Sequence, residues 1–274
     1  MATPSTTRAG VGFRYCQVLA LDSTSYPAAS DSTAYEGDQI EGARSLAITD
    51  PEPQQIVHRG DDRVFQLDTL PPTEPISGVL TVSKTNDDID DIVTDDKIFT
   101  LGEMSLFPLG TDNRGDENQC ALLAYRQTLD VSGGASEGSR RWEFRLFPKC
   151  YVIPIASGFE TDTPEERTFA VRPQFVAYHV WGSALATATE GCLRAQAFRG
   201  ISEYKPRLVA FDGDGSTTDF LFSTSYQGVD TSKVALWIDG TLQTAGQYTI
   251  TTAGPTFQTA PTTQNKLVML YEHE

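Results

Sequence analysis

Apolar and polar residues alternate with a period of two along most of this chain. In RRWEFRLF (140–147), Trp142, Phe144 and Leu146 fall on one face, and Arg141, Glu143 and Arg145 on the other. In GVLTVSK (78–84), Val79, Thr81 and Ser83 oppose Leu80, Val82 and Lys84. Such alternation marks half-buried strands. Further strand signals are FRYCQVLALD (13–22), ARSLAITD (43–50), RVFQLDTL (63–70), KIFTLGEMSLFPLG (97–110), CYVIPIAS (150–157), ERTFAVRPQFVAYHVWG (166–182) and CLRAQAFRGI (192–201). CALLAYRQTLDV (120–131) also fits a helical period, and its strand-rich surroundings decide for strand. Gly- and Pro-containing segments such as DPEPQ and LPPTEP punctuate these runs.

Three segments break the pattern. Residues 1–10 are small and polar and read as an arm, and 23–39 form a long polar loop carrying Tyr26 and Tyr35. Loops of that length are usually functional or disordered. In 85–97, Ile89, Ile92 and Val93 are spaced i, i+3, i+4, with Thr85 or Asn86 as a cap and aspartates near the start. This predicts one short helix lying on the sheet.

The texture changes near 204–211. From residue 207 onward there are three basic and seven acidic residues, with a complete set of short strand signals. A division into 1–206 and 207–274 is therefore expected. In VALWIDGTLQTAGQYTI (234–250), Asp239-Gly240 signals a two-residue type I′ turn. Val234, Leu236 and Ile238 should face one side of that hairpin and Trp237 the other.

The chain has 274 residues, 39% hydrophobic and 21% charged, as in ordinary globular proteins. Lys and Arg number 21 against 37 Asp and Glu, a net charge of -16. Nucleic-acid affinity rests on cations that displace phosphate counterions, so this balance argues against tight DNA or RNA binding. Cys16, Cys120, Cys150 and Cys192 are far apart, lack a C-x-x-C pair and sit among apolar residues, so buried free thiols are expected. No run reaches a membrane span, and MATPSTTRAG has no apolar core, so no membrane partner and a cytoplasmic place of synthesis are expected.

Chemical motifs are sparse. His58, His179 and His273 are dispersed and form no zinc pattern. There is no P-loop and no G-x-G-x-x-G. Asp212, Asp214 and Ser216 match the start of an EF-hand loop, but Thr217 and Ser223 stand where Gly and Glu are needed. The run Asp87, Asp88, Asp90, Asp91, Asp95 and Asp96 reads as a solvated face more readily than as a cation site. No enzyme and no cofactor are expected.

The pattern FDGDGSTTDFLF, VALWIDGTLQTAGQYTI, TFQTAP and LVMLYE resembles a small β-domain carried by tailed-phage virion proteins. The stretches IEGARSLAITDPEPQQIVHRGDDRVFQLDTLPPTEPISGVLTVSK and RRWEFRLFPKCYVIPIA are similar to the tail tube (major tail) proteins of long-tailed phages. The resemblance implies a mainly β fold: a β-sandwich or half-barrel with one short flanking helix, plus a small C-terminal β-sandwich on the tube exterior. It implies hexameric rings stacked into a hollow tube, in a virion assembled in the host cytoplasm. Partners would be other copies of the chain, tail tip, tape measure and terminator proteins, with viral DNA passing unbound. An acidic lumen fits that role, because it repels the phosphate backbone. Tyr26 and Tyr35 of the 23–39 loop, Asp87, Asp88 and Asp91 of the helix, and Arg141 and Arg145 are the candidate contacts between subunits. Deleting 23–39 is expected to leave a folded monomer that cannot polymerise. Trp237 is the candidate surface-binding residue of the C-terminal domain. The alternatives are a capsid cement or tail terminator protein, and a carbohydrate-binding β-module in which Tyr26, Tyr35, Trp181 or Trp237 stacks on sugars.

Overall fold

The computed structural model describes residues 8–40, 42–49, 54–60, 63–70, 76–83, 99–101, 104–106, 119–130, 140–156, 166–174, 198–202, 205–222, 234–244 and 246–273. The regular elements among them are all strands. The alternating segments become β1 (Arg8–Ala20), β2 (Asp38–Ile40), β3 (Ala43–Thr49), β4 (Gln54–Gly60), β5 (Arg63–Leu70) and β6 (Ser77–Val82). They continue as β7 (Phe99–Leu101), β8 (Met104–Leu106), β9 (Gln119–Asp130), β10 (Arg140–Ala156), β11 (Arg167–Pro173) and β12 (Phe198–Ser202). The C-terminal region supplies β13 (Lys205–Asp212), β14 (Val234–Ile238), β15 (Thr241–Leu242), β16 (Tyr248–Thr251), β17 (Gly254–Phe257) and β18 (Lys266–His273). The protein is mainly β, built from several antiparallel sheets. The helix expected over 85–97 lies outside the described residues, as do Trp181 and Cys192.

The largest sheet closes on itself. Its order is β2-β1-β9-β10-β11-β6-β3, with β12 added to β10. Its two ends, β2 and β3, are nearly continuous in the chain. Ile40 pairs with Cys16 of β1, while Ala43 pairs with Val82 of β6. One stretch, 38–49, therefore bridges both edges and completes a barrel. Gly42 stands at the switch between the two pairings with φ +84°, a conformation that favours glycine. Its carbonyl accepts the Ser83 N–H at 2.9 Å and the Ser83 hydroxyl at 3.0 Å. Inside, Cys16, Val18, Leu80, Leu122, Phe147, Val152, Phe169 and Val171 share one apolar core.

β10 changes phase along its length. Trp142, Phe144 and Leu146 point out of the barrel, and Phe147 points in. The register then shifts between Phe147 and Cys150, after which Cys150 and Val152 point in. The extra residue of a bulge accounts for the flip, and Pro148, which lacks an N–H, suits a place where the ladder is interrupted. At the same place β10 exchanges β12 for β11 as its second neighbour.

Residues 205–273 build a second sheet, β13-β18-β14-β15, which lies on the outside of the barrel. Leu208, Trp237 and Val268 pack there against Leu19, Leu123, Tyr125 and Leu146. The far face of this sheet carries Phe211, Leu236, Met269 and Tyr271, which pack with Phe220, Tyr248 and Phe257 of the adjoining loop and the β16–β17 hairpin. Leu236 and Trp237 thus face opposite layers, as their alternation predicts. Asp239 and Gly240 have φ of +48° and +75° and join Ile238 to its partner Thr241, the geometry a type I′ turn requires.

Candidate subunit-contact surfaces

Tyr26 and Tyr35 are engaged within the chain itself. The strand β13 is an edge of the C-terminal sheet, and the 23–39 loop covers it. Tyr35 and Ala210 exchange two backbone hydrogen bonds of 2.9 Å, and the Asp212 N–H donates to the Asp31 carbonyl at 2.8 Å. The Tyr35 hydroxyl oxygen accepts from the Ala20 N–H at 3.0 Å, and burial raises its pKa. Tyr26 packs against the cluster between barrel and sheet. Burial, then the charges of Asp239 and Asp22, push its hydroxyl up to about 12. Deleting 23–39 would therefore strip the C-terminal sheet of its edge partner, so that deletion cannot separate folding from assembly.

The loop is tied down by charge as well. Lys266 Nζ lies 2.6 Å from Asp212 and 3.4 Å from Asp22. Partial burial works to lower the Lys266 pKa, but its hydrogen bond to Asp212 and the charges of Asp212 and Asp22 outweigh this and raise it.

The other predicted residues are scattered. Asp87, Asp88 and Asp91 lie outside the described residues. Arg141 is exposed and Arg145 half-buried on β10. Glu143, between them, was expected on the same solvent face but is only 6% exposed. Arg126 reaches one of its oxygens at 2.7 Å, and Arg199 of β12 reaches the other at 2.6 Å. Trp237 is 2% exposed and sits between barrel and sheet, in place of the surface position expected for it. Its ring has no face for a surface ligand. Asp214 caps a tight turn by accepting the Ser216 and Thr217 N–H groups, so the DGDGSTTD stretch is a local Asx structure. Among the described residues, no group of three or more His, Cys, Asp or Glu is placed to hold a metal ion.

Among the described residues, two surfaces stand out as places where another chain could pair or pack. The first is a ribbon. β4 and β5 pair with each other from Gln54↔Leu70 to Gly60↔Arg63, and they join no other described strand. A two-stranded ribbon alone is at best marginally stable, and both its edges can accept further strands. The ribbon is also a detour. Thr49 and Ser77, the residues that flank it in β3 and β6, are directly opposite each other. Two residues could join them.

The second surface is the half of the barrel exterior away from the C-terminal sheet. Ile153, Ala170, Val79 and Ala47 form one cross-strand row over β10, β11, β6 and β3. Thr168, Thr81 and Ser45 form the next row. Val79 is 40% exposed, and Ile155, beside the first row, is 58% exposed. No charge lies in either row, on a chain of net charge -16. Alternation in GVLTVSK placed Val79 and Thr81 on one face; only the register of four strands reveals that their neighbours are uncharged too.

No protein-family model matches the chain, and a search of curated proteins finds no match.

Proposed function

We propose that this chain is a structural virion protein, the subunit of stacked six-membered rings that form the tail tube of a long-tailed phage. In this reading the barrel is the tail-tube-like domain with a flanking helix over 85–97. The C-terminal domain decorates the tube exterior. DNA passes through the lumen without specific binding, and tail tip, tape measure and terminator proteins are the remaining partners.

The observation that carries the reading is the β4–β5 ribbon, a detour the barrel does not need for its own closure. An element that spends 27 residues between two adjacent positions, 50–76, and joins no other described strand is suited to pairing with another copy. The uncharged exterior rows support it, because strongly acidic copies can approach closely only where charge is absent. The acidic balance supports a conduit that does not retain DNA.

Electron microscopy of the purified protein at high concentration tests the reading. Rings or hollow rods with a central channel are expected. A chain that stays monomeric or trimeric, even with tail-tip components added, overturns the tube. Replacing 50–76 by Asn-Gly sharpens the test: the variant should keep its β-type circular dichroism and cooperative unfolding yet build no rods. Rods from the variant would remove the ribbon from assembly.

A further inference from the structure

We propose that Cys120 and Cys150 are a latent disulfide pair that, once oxidised, staples β10 to β9 inside the barrel. The two residues are direct partners across these strands, and their sulfurs are 3.8 Å apart. Each thiol also lies near the other residue's carbonyl, at 3.6 Å and 3.4 Å. Directly opposed residues of antiparallel strands have the Cα spacing a disulfide spans. Cys16 shares the same core but pairs with Ala124, out of register with both. The pairing is independent of the tube reading, since it rests on the barrel alone.

Both thiols are fully buried and free. Burial, then the hydrogen bond and charge of Cys120 and the charge of Cys16, raise the Cys150 pKa well above its ordinary value, so it holds its proton at neutral pH. Thiolate is the reacting form, so the closed barrel protects the pair. Oxidation then proceeds through local opening, in which an oxidant such as a diazene reaches one sulfur. The first thiol adds across the N=N bond, and the second thiol displaces it. One S–S bond forms, two S–H bonds break, and the diazene leaves as a hydrazine carrying the two protons and two electrons.

The bond closes a loop between positions 30 residues apart and limits the unfolded chain accordingly. The test treats the full chain with diamide in urea below its unfolding transition, then alkylates remaining thiols. Expected are a native circular dichroism spectrum, two alkylated cysteines of the four, and a digest peptide joining Cys120 to Cys150. The oxidation rate should rise with urea, and the thermal midpoint of the oxidised protein should be higher by about 5–10 °C. Cys120→Ala and Cys150→Ala should each abolish the joined peptide. Four alkylated thiols in the treated native chain, a peptide joining Cys16 or Cys192 instead, or a midpoint that does not rise would each overturn the proposal. These readouts come from the unsubstituted chain, so they hold even if a cysteine variant fails to fold.

Discussion

The barrel interior and the layer between barrel and C-terminal sheet are both apolar clusters, yet they are held in different ways. The interior is lined by aliphatic groups, phenylalanines and thiols, and closure comes chiefly from backbone pairing. The interlayer mixes aromatic packing with a few polar latches. The chief latch is Gln17, 2% exposed in mid-strand. Its side-chain oxygen accepts the Leu208 N–H at 3.0 Å, and its nitrogen donates to the Leu208 carbonyl at 2.7 Å and the Glu36 carbonyl at 2.6 Å. One amide thus imitates a neighbouring strand at the edge of β13 and anchors the covering loop. Apolar packing tolerates exchange of like for like, whereas a latch of this kind fixes a single docking position.

The contrast can be broken from either side. Phe169→Ala empties space in the barrel interior, where Phe169 is 2% exposed, and should cost roughly 3–5 kcal/mol by urea unfolding. The loss should appear in one cooperative transition. Gln17→Ala leaves the buried Leu208 amide and carbonyl without that partner and should cost roughly 1–3 kcal/mol. Its signature is selective: limited proteolysis should cut within 205–273 before it cuts the barrel strands. Uniform proteolysis of both regions would show that the latch does not govern docking.

The smallest effect concerns Glu143. Burial works to raise its carboxyl pKa, but hydrogen bonds from Arg126 and the charges of Arg126 and Arg199 outweigh this and lower it from 4.5. A carboxyl with a depressed folded-state pKa stabilises the fold above its unfolded pKa and loses that contribution as pH falls through the folded value. Stability should therefore decline below about pH 4.5. In Glu143→Gln the acid limb should be shallower, with less stability at neutral pH. An unchanged acid limb would place the acid sensitivity elsewhere.

Local signals in the sequence carried the strand class, the turn at Asp239-Gly240 and the opposed faces of Leu236 and Trp237. Each of these depends on a few adjacent residues. Features set by distant strands were not legible. Glu143 alternates with arginines like a solvent-facing residue, and only the arrival of β12 with Arg199 closes over it. The flip after Phe147 depends on a bulge against β9. β1 begins at Arg8, inside the segment that reads as an arm, because Arg8–Val11 pair with Gln127–Asp130. Tyr26 and Tyr35 look like exposed loop aromatics until β13, some 175 residues later, supplies the edge they cover. Gln17 carried a faint signal, an amide on the same strand face as Tyr15 and Leu19, but its partner at 208 was out of reach of any local pattern.

The order of pairing around the barrel sets a schedule for the nascent chain. β1 leaves the ribosome first, but its main partner, β9, lies more than a hundred residues downstream. At synthesis rates of about 5–20 residues per second, β1 waits roughly 5–20 s for that partner. During the wait β2 is the described strand that pairs with it, and the edge that β9 will take is bare. The link from Gln17 to Leu208 comes later still, so β1 is fully held only once β13 has been made.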